Sequence, residues 1–156
     1  LFGPAGGTIG RSDGNALVLP DEAKTVSRQH AVVEVQAGHR VLLDSAPPGF
    51  EDDLLVPLPG DVTVTRRAAR PPYDLVVAFR GDTAALTRHL ARDLTRIPKN
   101  GAVWIAWPKK ASGIVTDITE NVVRREALAL GVVDVKVCAV DATWSALKLV
   151  YRTQDR

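Results

Sequence analysis

Methionine is absent from this chain, cysteine occurs once, and no apolar run approaches the length needed to cross a bilayer. With Cys138 alone, no disulfide can form within the chain. Its setting, the apolar alternation Val135-Lys136-Val137-Cys138-Ala139-Val140, predicts a buried, inert thiol. A membrane-spanning helix takes about 18 or more consecutive apolar residues, and the first residues lack the basic stretch and apolar core of a secretion signal. The expectation is a cytoplasmic protein with no membrane partner. The lack of methionine even at position 1 suggests a start inside a longer reading frame or after processing. An excess of one charge is missing as well, since 20 Lys and Arg stand against 18 Asp and Glu for a net charge of +2. The basic pairs Arg66-Arg67, Lys109-Lys110 and Arg124-Arg125 are separated by acidic and apolar residues. They make no continuous stripe for a polyanion, so nucleic acid is not an expected partner.

Catalytic signatures are missing too. There is no Gly-x-Ser-x-Gly elbow, no Walker loop and no Cys/His pairing, so hydrolytic and nucleotide-hydrolysing chemistries lack a starting residue. His39 and His89 stand apart from the cysteine and from carboxylates at ligand spacing, which leaves no metal site to assign. No catalytic residue and no cofactor are assigned, and a non-enzymatic role is expected.

What is present is enough for a core. Hydrophobic residues make up 46% and charged residues 24% of the chain, a globular balance, and 156 residues can hold a small module ahead of a compact sheet-and-helix unit. Residues 1–37 are rich in Gly and turn residues with short β-type runs, Leu17-Val18-Leu19 and Ala31-Val32-Val33-Glu34-Val35. From Gly38 onward apolar strands alternate with helical patterns, the mark of a mainly parallel sheet. The expected division is a β segment over 1–37 and an α/β domain over 38–156.

Within the second unit the pattern predicts strands over 39–44, 61–66, 74–79, 102–107, 134–140 and 146–152. Several are near-continuous Val/Leu/Ile runs, as strands covered on both faces should be. One helix is expected from Thr83 to Arg96, with Leu86, Leu90, Leu94 and Ile97 on one face and Pro98 and Gly101 ending it. A second helix is expected to be capped by Asp117 with Glu120, and stopped by Gly131. Only Asp141-Ala142-Thr143-Trp144-Ser145 joins the last two strands. That is too short for a crossover, so they should form an antiparallel hairpin.

The sharpest local motif is Gly7-Thr8-Ile9-Gly10-Arg11-Ser12, followed by Val18-Leu19-Pro20-Asp21 and Val26-Ser27-Arg28-Gln29-His30-Ala31. A phosphate dianion needs fixed cationic forks and short hydroxyl or amide donors, which Arg11, Ser27 and Arg28 can supply from neighbouring loops. This arrangement resembles the forkhead-associated (FHA) domain family, β-sandwiches that read phosphothreonine peptides through their loops. The resemblance implies Arg11 and Ser27 as phosphopeptide contacts, Arg28 as a neighbour of the phosphate, His30 as loop support, and a phosphothreonine-containing protein as partner. A complete member continues into an Asn-Gly loop and further strands. Here Val41-Leu42-Leu43-Asp44-Ser45-Ala46 runs instead into Pro47-Pro48-Gly49-Phe50, so the resemblance is to an incomplete sandwich.

Residues 38–156 carry a second set of motifs: Ala46-Pro47-Pro48-Gly49-Phe50, Trp104-Ile105-Ala106-Trp107-Pro108-Lys109, Ser112-Gly113, and Val140-Asp141-Ala142-Thr143-Trp144-Ser145. They resemble a bacterial domain-of-unknown-function family, and the layout is similar to a trimmed methyltransferase-like Rossmann fold. Ligands of such sheets bind at the carboxyl ends of the strands. Ser45, Lys109, Ser112, Asp141 and Trp144 gather there as a candidate pocket for a small anion. The turn Asp44-Ser45-Ala46-Pro47-Pro48-Gly49 lacks the several glycines of a nucleotide-binding loop, and its prolines remove amide donors. The competing reading has Trp104, Trp107 and Trp144 packing in the core or rim and the Lys pair in a solvated loop. Two functions remain open. One is a non-catalytic regulatory or adaptor protein that recognises phosphothreonine peptides; the other is a methyltransferase-like or small-anion-sensing unit with a merely structural N-terminal segment.

Overall fold

The computed structural model describes residues 9–10, 17–18, 35–50, 58 and 60–156. Near the N-terminus, β1 (Ile9–Gly10) and β2 (Leu17–Val18) make a two-residue parallel ladder of their own. The apolar runs of the second unit assemble into one six-stranded sheet: β3 (Arg40–Asp44), β4 (Thr63–Thr65), β5 (Leu75–Phe79), β6 (Ala102–Pro108), β7 (Val132–Ala139) and β8 (Trp144–Tyr151). Their spatial order is β4-β3-β5-β6-β8-β7. The first four run parallel, while β8 pairs antiparallel with both β6 and β7. The hairpin is therefore present, with its second strand inserted between the first and the rest of the sheet.

β5 and β6 are buried along their whole length, which explains why they read as unbroken apolar runs. Side chains alternate between the faces. Leu42, Val76, Ala78, Val103, Ile105, Leu147 and Leu149 point to one side. There they meet Leu86, Leu90 and Leu94 of α1 (Thr83–Thr95) and Val123 and Ala127 of α2 (Glu120–Ala129). Val41, Leu43, Val77, Phe79, Trp104 and Ala106 point to the other, with Val35 and Phe50 among their neighbours. The two α-helices among the described residues thus lie on one face of a mixed α/β, Rossmann-like sheet.

Local chemistry sets the helix ends. Asp82 has extended backbone, and its carboxylate accepts from Ala85 N at 2.8 Å, capping α1. The cap of α2 is Thr119, whose hydroxyl accepts from Val122 N, and not Asp117. Asp117 lies two residues too early and turns to the other helix, accepting from Thr83 N at 2.7 Å. Gly131 follows α2 at φ +80, the left-handed stop that glycine allows. β4 is shorter than its sequence pattern because the chain turns out of the sheet after Thr65, whose hydroxyl donates to Arg67 O at 2.6 Å. A register shift falls between Asp134 and Lys136 on β7, leaving Val135 as an extra residue opposite β8. No helix among the described residues is long and apolar enough to cross a membrane.

Candidate functional site

Connections leave β3 and β5 in opposite directions across the sheet, so the crevice beyond their carboxyl ends is the switch point where α/β sheets take ligands. Charged side chains at these strand ends bond one another. Arg80, the residue after β5, donates from Nη2 to Asp44 Oδ2 at 2.8 Å and to Asp93 Oδ2 of α1. Its Nη1 donates to Phe79 O at 3.1 Å. Arg92 reaches the same Asp44 oxygen at 3.2 Å, and Arg92 and Arg96 flank Asp93 Oδ1 at 3.6 and 3.7 Å. Arg80 is 3% exposed and Asp93 fully buried.

Burial pulls the Asp44 carboxyl upward, but the bonded Arg80 guanidinium and the nearby Arg92 outweigh it and hold the group below the ordinary carboxylate range. On Asp93 burial is the stronger influence and raises the group against the pull of Arg80. The network ties β3, β5 and α1 together at the carboxyl ends of the two strands.

The loop leaving β3 is closed in the same manner. Ser45 takes a left-handed backbone at φ 59 and Gly49 another at φ 77. Arg66, just past β4, donates from Nη1 to Ala46 O at 2.8 Å and from Nη2 to Pro47 O at 2.7 Å. With carbonyls turned to Arg66 and no N–H on Pro47 or Pro48, the loop offers a phosphate group acceptors where it needs donors.

Four of the residues expected to form the pocket come together at the β6–β8 end. Lys109 Nζ donates to Asp141 O, and Lys109 N donates to Thr143 O at 2.7 Å. Ser112 Oγ donates to Lys109 O at 2.6 Å. The Asp141 carboxylate accepts from Thr143 N and Trp144 N, both at 2.7 Å, and so shapes the hairpin turn. The Trp144 ring meets Phe79 edge-on with centroids 5.0 Å apart, and Phe79 meets Phe50 at 4.9 Å. Ser45 is not with them. It follows β3, three strand spacings from β8, roughly 14 Å at the usual interval, and its hydroxyl bonds Asp44 at 3.3 Å. Arg11, Ser27, Arg28 and His30 lie outside the described residues. Among the described residues no three His, Cys, Asp or Glu side chains gather as a metal site. Cys138 is buried, and burial pushes its thiol up to about 11 against the pull of Lys136 and Lys109.

Sequence reasoning passed over Arg80, Asp93 and Arg92. The signal was there for one of them, because Asp93 falls on the same helical stripe as Leu86, Leu90 and Leu94. A carboxylate on an apolar stripe needs a buried partner.

Residues 7–46 match the model of the FHA domain. The match takes in β3, which lies between β4 and β5 in the six-stranded sheet. No curated protein matches the chain by sequence. Among solved structures, a candidate methyltransferase from Thermoplasma acidophilum superposes with a TM-score of 0.54 at 9% identity, covering 98% of this chain and 84% of its own. The fold is methyltransferase-like. Magnesium protoporphyrin IX methyltransferase from Synechocystis, solved with bound SAH, gives 0.51 at 10% identity over 74% of this chain and 75% of its own. An O-methyltransferase family 2 protein from Planctomyces limnophilus gives 0.54 at 10% identity over 74% and 50%. Similarity at this level is one of fold.

Proposed function

We propose that the protein is a non-catalytic regulatory or adaptor protein, in which an FHA-like segment over residues 1–37 recognises phosphothreonine peptides and the α/β domain over 38–156 serves as its scaffold. The observation that carries the non-catalytic part is Arg80. It is buried and bonded to Asp44 and Asp93 where β5 and β3 end. A cofactor would have to break that network and also leave the proline-rich loop without useful donors. The phosphopeptide part is supported by the family match over residues 7–46 and by the residue types it contains. Arg11 is the fork for the dianion, Ser27 the hydroxyl donor, Arg28 a second cation and His30 the brace of the loop. A cytoplasmic setting, with neither nucleic acid nor membrane as partner, belongs to the same reading.

The test is a calorimetric titration of the full chain with a phosphothreonine peptide and its unphosphorylated twin. Binding of the phosphorylated peptide alone, weakened about tenfold or more by Arg11→Ala, is the expected result. Equal or negligible binding of both peptides to wild type removes the proposal. A second reading, a methyltransferase-like domain that binds adenosylmethionine, is supported by likeness to the Synechocystis enzyme with its bound SAH. The pairing of Arg80 with Asp44 and Asp93 speaks against it.

A further inference from the structure

Two stretches of the chain carry surface arginines, and the topology brings both to one face. The connection from β4 to β5, Arg66-Arg67-Ala68-Ala69-Arg70-Pro71-Pro72, is exposed throughout and holds no acidic residue. On α1, Arg88, Arg92 and Arg96 follow one another at four-residue steps, Arg96 just past its end. Because β3 lies between β4 and β5, the connection has to cross it. Tyr73, at the end of the crossing, belongs to the apolar cluster of Leu42, Leu90 and Leu94. Its hydroxyl accepts from Ala69 N and its own N donates to Arg96 O, both at 2.7 Å. The crossing is therefore made on the helix-bearing face, beside the end of α1. We propose that this arginine-rich face docks an acidic segment of a partner protein, a short run of aspartate or glutamate carboxylates.

The charge on this face is not balanced from within. The side chains of Arg67, Arg70 and Arg88 are exposed, and among the described residues none of the three has a hydrogen-bond or ion-pair partner. Arg92 and Arg96 are engaged but not fully neutralised. With Arg80 they set three guanidiniums against the two carboxylates of Asp44 and Asp93. Like charges at four-residue spacing disfavour a helix, and the one carboxylate within α1, Asp93, is buried in that same cluster. A planar guanidinium is matched best by the fork of a carboxylate, which the face itself does not supply.

The backbone that presents these arginines is already held. Arg40 donates from Nη2 to Arg70 O at 2.9 Å and from Nη1 to Pro72 O at 2.6 Å, while its guanidinium lies 4.8 Å from the Tyr73 ring centroid. Thr65 fixes Arg67 O at the other end of the connection. A partner therefore has little loop to order on binding. Two observations favour a short acidic peptide over nucleic acid. Asp82 and Asp117 stand exposed at the first turn of α1, where a phosphate backbone continuing along the helix would meet like charge. Stacking surfaces for bases are also missing, since Tyr73 is fully buried and Lys99 covers the Tyr151 ring at 4.2 Å.

The experiment is a fluorescence-anisotropy titration of the full chain into a labelled oligoglutamate peptide, with an oligoglutamine twin and a DNA duplex as competing probes. Saturable binding of oligoglutamate alone is expected, weakening as salt is raised. The double variant Arg67→Gln/Arg70→Gln should reduce the affinity about tenfold, and Arg88→Gln should reduce it as well. These side chains are exposed, so the variants should melt with the wild type. Lys110→Gln removes the same charge from an exposed residue beyond the other end of the sheet and should change nothing. Arg11→Ala should also leave the binding intact, which keeps this surface distinct from the phosphopeptide reading. Absence of saturation, equal weakening by Lys110→Gln, loss in Arg11→Ala, or tighter binding of the duplex through the same arginines overturns the proposal.

Discussion

A guanidinium that water hardly reaches depends wholly on the groups it neutralises, and Arg80 has two carboxylates for that purpose. Replacing it with leucine strands Asp93 in the core with only Arg92 and Arg96 at 3.6 and 3.7 Å. Breaking one side of a buried pair costs about 3–5 kcal/mol, so Arg80→Leu should lower the urea midpoint sharply. The double variant Arg80→Met/Asp93→Leu should recover most of the loss, because removing both charges also removes the cost of burying them. An equally severe loss in the double variant would show that the network contributes more than charge balance. Residues of this kind are hard to read in sequence. An arginine at a strand end looks like any solvated surface charge, and only the folded topology shows that α1 closes over it. Lys109, Asp141 and Trp144 were legible as neighbours, since the hairpin brings them to one edge. That their polar atoms would serve the turn was not, because hydrogen-bond geometry is a property of the folded loop.

At the scale of elements, apolar runs and caps decided most of the outcome. β5 and β6 were plain in the sequence because burial on both faces demands unbroken apolar residues, and α1 showed a clear stripe. The exchange of caps between the helices was hidden. Asp117 with Glu120 imitates a capping box, while Thr119 stands nearer the periodic run and wins α2, leaving Asp117 to the first amide of α1. Two carboxylates therefore serve one helix end, Asp82 on Ala85 N and Asp117 on Thr83 N. Asp82→Ala should cost about 1 kcal/mol. It should also speed hydrogen exchange in the first turn of α1 more than in α2. Asp117→Ala should accelerate exchange in that same turn, and a response confined to α2 would contradict the cross-helix contact.

At the scale of the molecule, alternation of strands with helices and the short final linker made a mainly parallel sheet with a terminal hairpin readable in advance. The spatial order was not, since adjacency of β3 and β5 depends on which crossovers fit over which face, and no local pattern records that. The resulting topology is methyltransferase-like, and in this chain Arg80 and Asp44 pair where β5 and β3 end. A ligand that binds the folded state must raise its melting temperature. Millimolar adenosylmethionine should leave the melting curve of the wild-type chain unmoved in a thermal-shift assay. A saturable rise would show that Arg80 can swing aside and would restore the methyltransferase-like reading.

The two rims of the sheet carry a consequence for behaviour at high concentration. β4 offers a neighbouring molecule only three residues, and β7 is kinked at Val135 beside the cationic Lys136. Short, bent and charged margins are poor templates for an intruding strand. The irregularity at Val135 and the charge of Lys136 therefore work against strand addition along the edge where Val135 and Val137 are exposed.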